Sequence, residues 1–174
     1  MDNPFECLSE EQEQMISQYV DSAITSVESP DLKHLPQSGV MFPNQLPTEW
    51  DTLPDEWDNL MDTVGIVNLH NHELEKYLEK WLRLLGYAYW VRGVREGQKA
   101  ILERAASYVK DYIFAHASGS REQKSAVAGS HPLYKKILDV LVKYEDRVAT
   151  LGGMVYKWEK IEFTISRAIS RRSV

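Results

Sequence analysis

From Glu73 to Ala117 the chain runs for more than forty residues without a proline, and its apolar residues recur at three- and four-residue steps. Leu74, Leu78, Trp81, Leu85 and Ala88 form one such series. Tyr87, Val91, Val94, Ile101, Ala105, Tyr108, Tyr112 and Ala115 form a second, with Gln98 as its only polar member. That spacing returns to one face of an α-helix at every turn, so it predicts a single helix with one buried stripe. Unbroken, such a helix measures roughly 65 Å at about 1.5 Å per residue. A rod of that length needs a partner helix, and it points to a homo-oligomer.

The partner is legible downstream. Pro132 suits the first turn of a helix, with Ser130 or His131 as its cap. Ile137, Leu141, Tyr144, Val148, Leu151, Val155 and Trp158 then alternate four and three, and Ile161, Ile165 and Ala168 or Ile169 continue the stripe. This is a heptad seam. Gly152-Gly153 interrupts it and predicts a kink or a tight crossing. Gly86, Gly93 and Gly97 likewise suggest a close crossing of the first helix, or the approach of a ligand backbone. The expected fold is all-α, with two long antiparallel helices, at about 72–116 and 132–171, forming a coiled-coil-like hairpin. Between them, residues 118–130 read as a flexible connection rich in small residues, with Arg121 and Lys124 placed to meet a phosphate.

The segment before the hairpin differs in charge. Residues 1–72 hold one basic residue, Lys33, against 14 acidic ones, whereas residues 73–174 hold 19 Lys and Arg against 12 Asp and Glu. The expected organisation is an acidic N-terminal arm, residues 1–71, and a basic helical oligomerisation domain, residues 72–174. Residues 1–8 read as a frayed terminus. Ser9 and Gln12 have the spacing of a capping box before Met15, Ile16, Tyr19, Val20, Ala23 and Ile24, which predicts a docking helix over residues 10–27. Five prolines mark residues 29–54 as a linker or strap, and residues 55–63 as a short helix. Asn71 is the expected cap of the long helix, with Glu73 and Glu75 favourable in its first turn.

Two features carry functional expectations. Lys80 and Arg83, then Arg92, Arg95 and Lys99, form basic stripes beside Tyr87, Tyr89 and Trp90. Cations next to aromatic faces suit single-stranded nucleic acid, because phosphates pair with charge and bases stack on rings. The alternative is a solvated helix face with ordinary core aromatics. In the arm, Thr48-Glu49-Trp50-Asp51-Thr52-Leu53-Pro54 is followed by Asp55-Glu56-Trp57-Asp58-Asn59-Leu60-Met61, a small repeat. Trp50, Leu53, Trp57 and Leu60 are therefore either anchors for a protein partner or a lid packed on the helical core.

Other chemistry finds no support in the sequence. There is no nucleophile elbow, no HExxH and no Walker-type lysine, so a non-enzymatic protein without a cofactor is expected. His70-Asn71-His72 lacks the further ligands of a metal site. The lone Cys7 excludes an internal disulfide and fits a reducing compartment. No apolar run is long enough to span a membrane, and Asp2 and Glu6 stand where a signal peptide needs basic residues. A cytoplasmic protein is expected.

Lys80-Trp81 near the start of a long helix, then Lys99…Arg104…Tyr108, a charged Gly/Ser-containing break and a long apolar-periodic helix make up a pattern over about residues 75–172. It resembles the small helical recombination mediators of tailed phages, the UvsY type. The resemblance implies a ring-like homo-oligomer in the host cytoplasm that binds single-stranded DNA, the strand-exchange recombinase and the single-strand binding protein, helping the first protein replace the second. It implies DNA contacts at Lys80, Arg83, Arg92, Arg95, Lys99 and Arg104, with Arg121 and Lys124 beyond. A phage structural or assembly adaptor, using helical oligomerisation and the acidic Trp-containing arm, is the competing expectation.

Overall fold

A computed structural model describes residues 7–28 and 46–172. Among them the structure is all-α. Five helices follow in order: α1 (Glu10–Glu28), α2 (Leu53–Thr63), α3 (Asn71–His116), α4 (Arg121–Ser130) and α5 (Pro132–Arg172), with a 3₁₀ turn at Ile66–Asn68. The long helices α3 and α5 pack together as an antiparallel hairpin. The frayed terminus expected at residues 1–8 and the strap at 29–54 lie mostly outside the described residues.

The chain divides into two compact units, each built from two separate stretches of the sequence. Among the described residues, one comprises residues 7–28 and 95–148, the other residues 46–94 and 149–172. The first holds α1, α4, the C-terminal part of α3 and the N-terminal part of α5. Its core joins Ile16 and Val20 of α1 to Ala105, Ala106, Val109 and Ile113 of α3, Ala128 of α4 and Ile137 of α5. A second cluster joins Val27, Leu102, Leu141 and Tyr144. The capping box expected at the start of α1 is present, with the Ser9 amide donating to Gln12 Oε1 at 2.9 Å and the Gln12 amide to Ser9 Oγ at 3.3 Å. At the other end, the Val27 carbonyl accepts from Gln98 Nε2 and from the Tyr144 hydroxyl, both at 2.8 Å. The last carbonyls of a helix have no partner within it, so these two bonds supply one. They also explain why a polar residue sits in the α3 stripe. Helix α1 is thus a core element, not only a docking helix.

Within this unit the α3 stripe is displaced from the one expected. Leu102, Ala105, Ala106, Val109 and Ile113 are buried, while Ile101 and Tyr108 are about half exposed. The two series share Ala105 and differ elsewhere by one position, about 100° around the helix. Tyr and Ile are apolar enough to satisfy the periodicity, so only packing against α1 and α5 decides between them.

Residues 121–130 form a helix where a flexible connection was expected. Ser120 and Gln123 make a complete capping box, at 2.8 and 3.3 Å, and Ala128 is buried. Gly119 turns the chain into it at φ 108°, and a Cβ there would lie 2.5 Å from the Gln123 side chain that completes the cap. His131 separates α4 from α5. It is 1% exposed, and its Nδ1 accepts the Leu133 amide at 3.3 Å.

The second unit packs α2 between the remaining parts of α3 and α5. Leu53, Trp57, Leu69, Leu74, Trp81, Leu84, Leu85, Ala88, Val155, Trp158 and Ile165 form its core. The α3 series that begins at Leu74 and the later part of the α5 seam are therefore buried as expected. The cap of α3 falls one residue earlier than Asn71, since the His70 amide donates to Glu73 Oε2 at 2.8 Å while Asn71 is already helical. Arg172 donates to the carbonyls of Ile66 (2.8 Å), Val67 (2.9 Å) and Leu69, so the end of α5 holds the connection between α2 and α3. Among the described residues no close crossing exists at the helical glycines: a Cβ on Gly86, Gly93, Gly97, Gly152 or Gly153 meets nothing within 4 Å, and both long helices continue through them.

Burial holds the His131 imidazole below its ordinary pKa, with Glu13 opposing the shift. The folded chain keeps this group neutral while the unfolded chain protonates it, so stability is lost as pH falls through about 6.5, the ordinary imidazole value. Urea midpoints of the wild type are expected to decline between pH 7 and pH 5.5. His131→Gln, which cannot titrate, is expected to show a flatter profile over that window.

Candidate nucleic-acid interface

In the second unit, the repeat in the arm acts as a pair of anchors. The chain from Pro47 to Leu53 is held in helical turns by Trp50 N–H to Pro47 O and Leu53 N–H to Glu49 O, at 3.0 and 2.9 Å. Trp50 meets Trp158 at 5.1 Å and Tyr87 at 5.3 Å, nearly edge-on in both cases. One repeat later, Trp57 meets Tyr77 at 5.4 Å and Trp81 at 6.4 Å, also edge-on. Trp81 lies 5.8 Å from Trp158, and Tyr87 lies 5.4 Å from Trp90. All five tryptophans of the chain belong to this one network. Edge-to-face pairs of this kind contribute about 0.5–1.5 kcal/mol each beyond their burial.

The acid preceding each tryptophan reaches a base on α3. Glu49 pairs with Arg83 at 3.4 Å, and Glu56 with Lys80 at 3.3 Å. Arg83 also meets Glu79 at 3.7 Å. A backbone hydrogen bond, the Thr48 hydroxyl and the Arg83 and Lys80 charges hold the Glu49 carboxyl below its usual pKa. Tyr77 donates to Glu56 at 2.7 Å; burial, then that bond and the carboxylate charge, push its phenol up to about 12. The Lys80 ammonium also lies 5.1 Å over the Tyr77 ring. Leu53 and Trp57 are buried, and Trp50 and Leu60 half-buried. As folded, Leu53 and Trp57 hold α2 to its core instead of facing a partner, which is the lid reading of the repeat. Sequence reasoning did not connect this pair to Trp81 and Trp158, although both occupy apolar positions of their helical series.

The remaining candidates in this unit are Trp90 and Arg92, both half-buried and both engaged. Its surface also carries apolar relief. A groove of about 680 Å³ is lined by Leu82, Leu85, Tyr89, Tyr156 and Phe163, and a second of about 450 Å³ by Trp57, Met61, Ile66 and Ile161. Tyr156 and Lys160 border both.

In the first unit, Arg95 donates to Gln98 Oε1 at 2.9 Å, and Lys99 pairs with Glu103 at 3.4 Å and Glu145 at 3.8 Å. Arg104 and Arg121 are exposed and Lys124 is half-buried; among the described residues none of the three makes an ion pair. Arg121 and Lys124 stand on α4, not on a loop. Nearby in sequence to Arg104 lies a row of rings, of which Tyr108 and Tyr112 were expected in the buried stripe of α3. Tyr19 of α1 meets Tyr108 at 4.8 Å, Tyr108 meets Tyr112 at 6.2 Å, and Tyr112 stacks on His116 at 4.3 Å and 28°. The available signal was the four-residue step from Arg104 through Tyr108 and Tyr112 to His116.

Among the described residues no group of three or more His, Cys, Asp or Glu could hold a metal ion, and no helix is long and apolar enough to cross a membrane. Compared with protein-family models, curated proteins and solved structures, the chain has no match.

The anchor geometry separates two energies. Trp57→Ala is expected to destabilise the fold by about 3–5 kcal/mol, the usual cost of emptying an aromatic core site. Glu56→Gln, which breaks only an exposed pair, is expected to cost less than about 1 kcal/mol. Urea unfolding followed by tryptophan fluorescence reads both.

Proposed function

We propose that this chain is a non-enzymatic, homo-oligomeric protein that binds single-stranded DNA and assists a recombinase in replacing single-strand binding protein, as mediators of the UvsY type do. The observation that carries the DNA-binding part is that the first unit holds, among its cations without ion pairs among the described residues, Arg104, Arg121 and Lys124, and that it also exposes the rings of Tyr19 and Tyr108. The paired cations remain usable. The Lys80–Glu56 and Lys99–Glu103 pairs are solvent-exposed, and such pairs contribute about 1 kcal/mol or less. A polyanion that brings several phosphates together displaces carboxylates held that weakly. The recombinase and single-strand binding protein enter from the resemblance of residues 75–172. The homo-oligomer is supported by large apolar side chains on the surface, among them Tyr156 and Phe163 at 62% and 59% exposed.

A second reading, a helical assembly adaptor or scaffold, is favoured by the two apolar grooves of the other unit. On that reading the grooves seat a protein helix, and the exposed arginines serve solubility alone.

Fluorescence anisotropy of a labelled oligo-dT strand against the full chain distinguishes the two. Binding is expected to weaken steeply as salt rises, because phosphate neutralisation releases counterions. The triple variant Arg104→Ala/Arg121→Ala/Lys124→Ala is expected to lose affinity and to flatten the salt slope. No binding at low salt, with an intact oligomer by light scattering, overturns the DNA reading and leaves the adaptor. The test requires the full chain: removing residues 1–62 strips Leu53 and Trp57 from their core.

A further inference from the structure

Four residues of α3 repeat at four-residue steps: Arg104, Tyr108, Tyr112 and His116. At about 1.5 Å per residue each step advances about 6 Å while staying near one side of the helix. Tyr108 is 47% exposed and Tyr19, which meets it from α1, is 40% exposed. Tyr112 is half-buried against the core, so the exposed aromatic surface is made by Tyr108 and Tyr19, one from each of two helices, with the Arg104 guanidinium one turn away on α3. The far end is fixed as well: His116 Nδ1 lies 2.8 Å from the Tyr112 carbonyl oxygen, which sets the imidazole plane against the Tyr112 ring. The acids closest in sequence are occupied, beginning with Glu103, next to Arg104, which pairs with Lys99 at 3.4 Å. Asp111 takes the Ser107 hydroxyl at 3.4 Å, and Asp21 of α1 pairs with Lys136 at 2.6 Å.

We infer that this row is a stacking platform for the unpaired bases of single-stranded DNA, with Tyr108 and Tyr19 taking bases and Arg104 taking the adjoining phosphate. The inference rests on the DNA-binding reading and specifies its contact surface. Charge complementarity selects the occupant. An apolar protein helix gains nothing from Arg104, whereas a strand supplies a phosphate for the guanidinium and a π-face for each ring. Rings carry no hydrogen-bond code for a particular base, so such a platform accepts any sequence. It excludes duplex DNA, in which both faces of every base are covered by neighbours.

The test titrates the full chain with three labelled probes of equal length: oligo-dT, a fully abasic strand, and a duplex. The expected result is preference for oligo-dT over the abasic strand by roughly tenfold or more, the scale of base–aromatic stacking. Tyr108→Leu is expected to bring oligo-dT affinity down towards the abasic value while leaving abasic binding unchanged. Tyr108→Phe, which keeps the ring, is expected to retain the preference. Arg104→Ala is expected to weaken both single strands alike. Equal affinity of the wild type for oligo-dT and the abasic strand overturns the platform and leaves charge-driven binding standing. An equal loss in Tyr108→Phe and Tyr108→Leu also overturns it. Failure to bind any probe overturns the DNA reading itself.

Discussion

The indole of Trp81 is fully buried, and the second unit is assembled around it. Trp57 approaches it from α2 and Trp158 from α5, and Trp50 reaches Trp158 from the turn ahead of α2. Burying one large side chain contributes about 1.5–3 kcal/mol, so a cluster of this size outweighs every exposed ion pair around it. That inequality sets the hierarchy of the repeat. Its tryptophans fix where α2 lies, and its glutamates then meet Lys80 and Arg83 because the tryptophans have brought them there. The acidic arm is part of the fold first and a neutralising charge second.

The first unit depends on a different device. Helix α1 is acidic, and its exit is held by two donors on one carbonyl, from Gln98 of α3 and Tyr144 of α5. With Val27 fixed, α1 lies along the Leu102–Ile113 side of α3. The Tyr108 side is left to solvent, covered in part only by Tyr19. An aromatic row on the surface is thus the counterpart of the register chosen for the core. The same register places Arg104 outside, where no carboxylate among the described residues meets it.

The electrostatics follow from this interleaving. The sequence separates acid from base, but each unit takes an acidic helix and sets it against a part of α3. Of the cations of α3, Lys80, Arg83 and Lys99 are met by acids at 3.3–3.8 Å, whereas Arg104 has no ion pair among the described residues. Weak exposed pairs lower the charge seen at a distance and yield to a multivalent anion at contact.

The sequence by itself determined the all-α class, the span of the two long helices, a short helix over residues 55–63, which the structure starts two residues earlier, and the first capping box. Each follows from periodicity, proline placement or a three-residue capping interval, all of which act within one segment. It also carried both candidate surfaces as residue types, basic stripes on α3 and a tryptophan repeat. It misassigned residues 121–130, where small residues suggested looseness and the Ser120–Gln123 box was decisive. The tertiary structure alone decided which of two α3 series is buried, because Ile101 and Leu102 satisfy helical spacing equally well. It alone paired Glu49 with Arg83 and Glu56 with Lys80, joined five tryptophans into one network and left Arg104 open beside Tyr108. Those are contacts between segments far apart in the chain, and local pattern holds no information about which distant side chain will occupy the facing space.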